Sequence, residues 1–73
     1  MHERANQIKQ EFGEKLRKLR KGKKLSMRQL ALLADIDHSQ IRKIEIGAIS
    51  PTVPTLYSLA EALGITPCDF FDC

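Results

Sequence analysis

The chain has 73 residues and a formal net charge of +3, which allows one small domain and leaves no room for a second core. Tryptophan is absent, and the aromatic residues are three Phe and one Tyr. The core must therefore be built mainly from Leu and Ile, which favours an all-helical fold. The longest apolar run covers residues 30–34, far short of the roughly 20 residues of a membrane span. Because no signal peptide is visible either, we expect a cytoplasmic protein with no membrane contact.

Charge is divided unevenly along the sequence. Residues 1–43 contain all 12 Lys and Arg residues and five acidic residues, a net charge of +7. Residues 44–73 contain the other four acidic residues, a net charge of −4. This division indicates one face that binds a polyanion and another face with a different role. A helix surface that is merely solvated would carry similar charges, so charge alone does not decide between the two interpretations.

The residues of catalytic and metal sites are largely missing. Cys68 and Cys73 lack the two further ligands that a zinc site needs, and we expect both to be free thiols. The sequence shows no paired carboxylates in a plausible cleft, no Gly-rich phosphate loop and no nucleophile beside a base. We therefore predict a protein that is not an enzyme and that holds neither a metal nor a cofactor.

The periodicity of apolar residues predicts five helices. In the first, Ile8, Phe12, Leu16 and Leu19 recur at helical spacing, and Gly22 marks its end. Residues 1–7 are predicted to be an N-terminal arm or an extension of this helix. Residues 8–73 are predicted to form a single domain.

The second helix is predicted to begin after Ser26, which forms a capping box with Gln29. Its inner face is predicted to consist of Leu30, Leu33 and Ala34. The three residues 35–37 then form a tight turn, in which Asp35 has to adopt a positive φ angle; Asp tolerates this better than most residues.

The third helix is predicted to begin with a second capping box, formed by Asp37 and Gln40. Ile41 and Ile44 point into the core, and Gly47 provides a left-handed C-terminal cap. Two short helices joined by so short a turn are held at the steep angle of a helix-turn-helix unit. This angle lets the second of them enter a DNA major groove, which is about 12 Å wide.

The remaining helices complete the core. The fourth starts near Thr52 and ends at Gly64. Its predicted buried residues are Leu56, Leu59, Ala60 and Leu63. A last short helix opens at Thr66-Pro67 and carries Phe70 and Phe71, one of which is expected to lie in the core.

Several motifs occur in order along this pattern, and together they resemble a known family. They are LRKLR at the end of the first helix, Ser26 with Leu30-Ala31, Ile41, Ile44-Glu45-x-Gly47, Pro51 and LAEALGI. From Phe12 to about Phe71 the sequence is similar to the Cro/XRE family, the phage-repressor type of helix-turn-helix domain. The resemblance implies a five-helix, phage-repressor-like DNA-binding domain with its helix-turn-helix at helices 2 and 3. It also implies a homodimer that binds a palindromic double-stranded operator and regulates transcription, with repression as the expected mode.

The resemblance implies roles for individual residues. The predicted base-reading residues lie on one stripe of the third helix: His38, Ser39, Arg42 and Lys43. The alternative is that they form only a solvated helix face. Arg20 and Glu45 match a family pair that joins the first helix to the end of the third, and we expect them to form a structural ion pair.

Two departures from the family bear on contacts with phosphate. Met27 stands where a Gln commonly touches a phosphate, and the loop after the third helix lacks basic residues. The predicted phosphate-contacting residues are Lys21, Lys23, Lys24, Arg28, Ser50, Thr52 and Thr55. With Asp35 and Asp37 nearby, we expect modest DNA affinity that depends weakly on salt concentration.

Apolar residues suggest further contacts. Tyr57 and Phe71 are predicted at a dimer interface formed by the acidic fourth and fifth helices. Ile46 and Ile49 could instead bind a protein partner. This leaves open an alternative function, that of a protein-interaction module of the same fold, similar to an antitoxin or an anti-repressor.

Overall fold

The computed structural model describes residues 2–71, and Met1, Asp72 and Cys73 lie outside this range. The helices are α1 (His2–Gly22), α2 (Met27–Ala34), α3 (His38–Glu45), α4 (Val53–Leu63) and a 3₁₀ helix (Pro67–Phe71). No strand occurs within residues 2–71, so the predicted all-helical class is confirmed. Five α-helices are not found in the described range, because the last predicted element is a five-residue 3₁₀ helix.

The longest helix, α1, has 21 residues and begins at His2, so residues 2–7 form its first turns. Residues 3–8 are exposed, whereas Phe12 and Leu16 are buried in the core. The division of the chain into residues 1–7 and 8–73 stays a prediction. Within the described range, no helix combines the length and the hydropathy that crossing a membrane requires.

The starts of α2 and α3 differ. At α2, the Gln29 N–H donates to Ser26 Oγ over 3.1 Å and the Ser26 N–H donates to Gln29 Oε1 over 2.8 Å, which confirms the predicted capping box. At α3, the side chain of Asp37 makes no capping hydrogen bond, so the second predicted capping box is wrong. The Gln40 N–H donates instead to the main-chain carbonyl of Asp37 over 3.0 Å, and that carbonyl satisfies the donor that the carboxylate was expected to bind.

The predicted turn between α2 and α3 is confirmed. Asp35 has φ 57° and ψ 46°, in the left-handed region, and its N–H points to the last carbonyls of α2. Ile36 packs against the core and donates its N–H to the carbonyl of Ala31 over 3.1 Å. Gly47 has the predicted left-handed conformation as well, with φ 79°. The turn therefore fixes the angle between α2 and α3 through both backbone and packing.

The core lies between α1, α2, α3, α4 and the 3₁₀ helix. Its fully buried larger side chains are Leu16, Leu30, Ile41, Ile44 and Leu59. The predicted inner face of α2 is wrong at Leu33, which is 60% exposed, whereas Ala31 is buried instead. Leu56 of α4, predicted to be buried, is half-buried and packs against the core. Since α2 packs against both α3 and α4, its small residues Ala31 and Ala34 face these neighbours, and this rotates Leu33 towards solvent.

Phe70 and Phe71 differ in burial, and one of them lies in the core as expected. Phe70 is buried with its ring centroid 4.9 Å from that of Phe12, whereas Phe71 is 57% exposed at 5.9 Å from the same ring. Cys68, at the start of the 3₁₀ helix, is disulfide-bonded, so the predicted free thiol is wrong for this residue. The same prediction for Cys73 lies outside the described residues.

Candidate nucleic-acid interface

Helix α3 has one face in the core and one face in solvent. Ile41 and Ile44 are completely buried, and α3 packs through them against α1 and α2. The opposite face carries the four predicted base-reading residues, all exposed: His38, Ser39, Arg42 and Lys43. We call these four residues the outer stripe. The fold therefore presents one side of α3 outward while the other side anchors it.

The four residues of the outer stripe are spaced along one side of α3. His38 and Arg42 are four residues apart, as are Ser39 and Lys43, so both pairs lie along one side of the helix. Within residues 2–71, none of the four side chains has a hydrogen-bonding or ionic partner. Arg and Lys can donate to guanine O6 and N7, and Ser can bond to several base edges. These donors are therefore available to DNA without first breaking a contact within the protein.

Arg20 and Glu45 form an ion pair between α1 and the end of α3. Arg20 Nε donates to Glu45 Oε2 over 2.6 Å and Nη2 donates to Oε1 over 3.0 Å, the bidentate geometry of a strong charge-assisted pair. The side chains are only 8% and 2% exposed. Because its carboxylate is enclosed, Glu45 is not available to a base.

A third bond extends this ion pair to the start of the helix-turn-helix. Arg20 Nη1 donates to the main-chain carbonyl of Leu25 over 2.7 Å. The hydrogen bond to Glu45 is the main cause that raises the pKa of Arg20 above its usual value, despite the opposing effect of burial. The guanidinium therefore remains charged and joins α1, the loop before α2 and the end of α3.

The predicted phosphate-contacting residues lie in two separate segments. Four of them are exposed around the start of α2: Lys21 in the last turn of α1, Lys23 and Lys24 in the connection, and Arg28 in the first turn of α2. Lys24 has φ 59°, a left-handed conformation that is uncommon outside Gly, Asn and Asp. Met27, the departure from the family pattern, packs against the core. This segment thus offers four exposed cations around the start of α2.

The second segment offers hydroxyl groups at the start of α4. Ser50 and Thr52 are exposed and Thr55 is half-buried. Thr52 Oγ1 accepts the Thr55 N–H over 3.3 Å and lies 3.0 Å from Thr55 Oγ1. The Thr52 hydroxyl therefore caps α4, and a phosphate at this position would compete with or share that bond.

The apolar residues predicted to contact partners differ in exposure. Ile46 is 57% exposed beyond the end of α3, whereas Ile49 is half-buried and packs against the core. Ile49 lines an apolar cleft of about 160 Å³, together with Ile8, Lys9, Phe12, Ser50, Pro51, Leu56 and Phe71. Tyr57 and Phe71, the predicted dimer contacts, are 54% and 57% exposed. The exposed side chains lie on different elements of the fold.

A short capped helix, a three-residue turn and a second helix with a free polar face define a helix-turn-helix DNA-binding domain. Sequence comparison agrees, since the model of the family described as "Helix-turn-helix" matches residues 16–70. The control protein C.MunI from a Mycoplasma species is 39% identical over 67 residues, which cover 90% of each chain.

Solved structures share the fold. The restriction-modification controller protein C.AhdI from Aeromonas hydrophila superposes with a TM-score of 0.86 at 36% identity, over 88% of this chain and 97% of that one. A transcriptional regulator of the helix-turn-helix family from Vibrio cholerae gives a TM-score of 0.88 at 31% identity, over 93% of this chain and 38% of that one. The chain belongs to the Cro/XRE-type helix-turn-helix family. It is a DNA-binding regulator of transcription and not an enzyme.

Proposed function

We propose that this chain is a dimeric controller protein that binds a two-fold symmetric operator and represses transcription within a restriction-modification system. The main support for sequence-specific DNA binding is the outer stripe of α3. Its four polar side chains are exposed and have no partner within residues 2–71. The restriction-modification context is supported by similarity to the control protein C.MunI and to the restriction-modification controller C.AhdI over nearly the full length of each.

Within this proposal each segment has one task. His38, Ser39, Arg42 and Lys43 contact base edges in the major groove. The cations of residues 21–28 and the hydroxyls of residues 50–55 contact phosphates and fix the position of α3 along the duplex. Arg20 and Glu45 stay inside the protein and hold α3 in place.

Dimerisation is proposed because one small domain reaches only one half-site. Two-fold association places two copies of α3 on successive major grooves, about 34 Å apart along the DNA, and the operator is then palindromic. Tyr57 and Phe71 are the proposed interface residues, since both are large, apolar and more than half exposed. They lie in the acidic part of the sequence, whereas the cations proposed to contact phosphates lie in residues 21–28.

Selection of bound sites from random duplexes tests DNA reading directly. Wild type should yield a palindromic consensus, and Ser39→Ala and Lys43→Ala should each lose the preference at particular positions of each half-site. Lys18→Ala is the matched control, because it removes an equal charge from an exposed position of α1 and should leave the consensus unchanged. An unaltered consensus for both outer-stripe variants would refute the assignment of the base-reading residues.

Sedimentation equilibrium tests the dimer. We expect association in the micromolar range and its loss in a Tyr57→Lys, Phe71→Lys double variant that keeps its helical circular dichroism. A wild-type protein that stays monomeric at high micromolar concentration would contradict the proposed interface.

Exposure of Ile46 favours one alternative, in which the fold binds another protein in place of DNA. Retention of random duplex DNA at low salt, lost as salt rises, supports the DNA-binding function. Absence of any DNA binding at low salt, with a partner that co-purifies with wild type and is lost with Ile46→Lys, supports the alternative.

A further inference from the structure

Gly13 occupies a position where a glycine is otherwise unfavourable. It lies in the interior of α1 and is buried, although Gly stabilises a helix less than Ala does. A Cβ atom at this position would lie 2.6 Å from the carbonyl oxygen of Glu45 and still closer to that of Ile44, whereas ordinary contacts begin at 3.4 Å. Both obstacles are backbone atoms of α3, which have no side-chain rotation to make room. Glycine thus permits the observed separation between α1 and the end of α3.

Two further contacts join α1 to the end of α3 and to the loop that follows it. One turn earlier in α1, Gln10 lies against Gly47, where an added Cβ would meet Gln10 Cγ at 2.8 Å. Two turns later, Arg20 binds the carboxylate of Glu45. The contact at Gly47 also includes the Gln10 backbone, whose Cα an added Cβ would meet at 3.2 Å, but its shortest distance is to a flexible side chain. The contact of Arg20 with Glu45 joins two side chains. Of these contacts, the one at Gly13 brings two backbones closest, so it limits how near the two helices can lie.

We propose that Gly13 is a positioning residue for DNA reading: its backbone contact sets the pose in which α3 presents the outer stripe. The proposal rests on the proposed reading of DNA by α3. Lys43 directly precedes Ile44, whose carbonyl faces Gly13. A methyl group at residue 13 would push the end of α3 away and tilt an eight-residue helix. Hydrogen bonds to base edges tolerate only a few tenths of an ångström, so the tilt weakens base reading. Flexible lysines that contact phosphate can follow the movement.

Gly13→Ala tests this proposal, and Gly22→Ala is its matched control. Gly22 ends the same helix, but an added Cβ there meets nothing within 4 Å. Affinities are measured for the selected site and for a random duplex, at a temperature where circular dichroism shows each variant fully folded. For Gly13→Ala we expect a loss of at least about 10-fold on the selected site and a change within about 3-fold on the random duplex. For Gly22→Ala we expect both affinities to stay within about 3-fold of wild type.

The ratio of the two affinities separates positioning from stability, because a partly unfolded protein loses both in proportion. If Gly13→Ala is not folded in buffer, the measurement is repeated in trimethylamine oxide, which favours the compact state. Equal losses on the two duplexes, an unchanged affinity for the selected site, or a variant that remains unfolded in the osmolyte would each overturn the proposal. If wild type itself fails to distinguish the two duplexes, the proposed function fails as well.

Discussion

The two faces of α3 differ in how many constraints act on their side chains. On the inner face, Ile41 and Ile44 are fully buried and Glu45 makes a bidentate bond to Arg20. On the outer face, Ser39 and Lys43 are exposed and have no partner within residues 2–71. The inner face therefore determines where the helix stands, and the outer face is free to determine which bases it binds. Changes on the two faces should separate into losses of stability and losses of binding.

The largest expected effect lies on the inner face, at Glu45. Glu45→Ala should reduce the free energy of unfolding by about 3–5 kcal/mol, because it leaves the buried guanidinium of Arg20 without its counter-charge. Urea denaturation followed by circular dichroism measures this loss. The double variant Arg20→Met, Glu45→Leu should recover most of it, since an apolar pair of similar size leaves no unpaired charge. A single variant as stable as wild type would show that the pair does not anchor α3.

The outer face should show the converse behaviour. Ser39→Ala and Lys43→Ala should each weaken binding to the selected site by about 1–3 kcal/mol. Their free energies of unfolding should stay within about 0.5 kcal/mol of wild type, because exposed, unpaired side chains contribute little to stability. Fluorescence anisotropy and urea denaturation on the same samples measure the two quantities. Losses of stability as large as the losses of binding would remove the distinction between the faces.

The salt dependence of DNA affinity tests the role of the exposed cations in residues 21–28. We expect a shallow slope of log K against log salt concentration, as four exposed cations flank the start of α2 and two acidic residues lie in the following turn. Lys23→Ala should lower the slope by about one unit and weaken binding to all duplexes alike. Anisotropy titrations at several salt concentrations measure this. A wild-type slope equivalent to about 8–10 neutralised phosphates per monomer would contradict the expected weak dependence.

The smallest expected effects are losses of stability at the starts of α2 and α3. Ser26→Ala should cost about 1 kcal/mol of unfolding free energy, because it removes a side chain that caps α2. Asp37→Ala should cost less than half as much, since the Asp37 carboxylate makes no capping bond. Thermal denaturation of both variants, side by side, measures the difference. Equal losses would indicate that the carboxylate of Asp37 caps α3 in solution.

Much of the fold follows from local chemistry that is visible in the sequence. Ser26 with Gln29 forms a cap by itself, and Asp35 has to adopt a positive φ in so short a turn. The position of Leu33 was not predictable in this way, because its exposure depends on how closely α2 approaches both α3 and α4. Gly13 is a similar case: a glycine inside an apolar helical pattern signals a special position, but its contact lies more than 30 residues away in the chain.

The candidate site also contains one part that the sequence predicts and one part that depends on tertiary contacts. The four residues of the outer stripe share one helix face, which their spacing predicts. The predicted phosphate-contacting residues are divided: Lys21, Arg28 and Thr55 lie in helices. The others lie in connections, whose backbone conformations are set by tertiary contacts: Lys23, Lys24, Ser50 and Thr52. Lys24 illustrates this, since it adopts φ 59° although Gly22 stands only two residues before it.

The most direct test of the central claim pairs one protein change with one DNA change. Each guanine of the selected half-site is replaced in turn by 7-deazaguanine, which lacks the N7 acceptor, and affinities are measured for wild type and for Lys43→Ala. At one position, we expect wild type to lose affinity on this replacement and Lys43→Ala to lose none, because the bond is already absent. If replacement by 7-deazaguanine lowers the affinity of Lys43→Ala as much as that of wild type at every guanine, Lys43 does not bind guanine N7. If Arg42→Ala gives the same result, neither basic side chain of the outer stripe binds guanine N7.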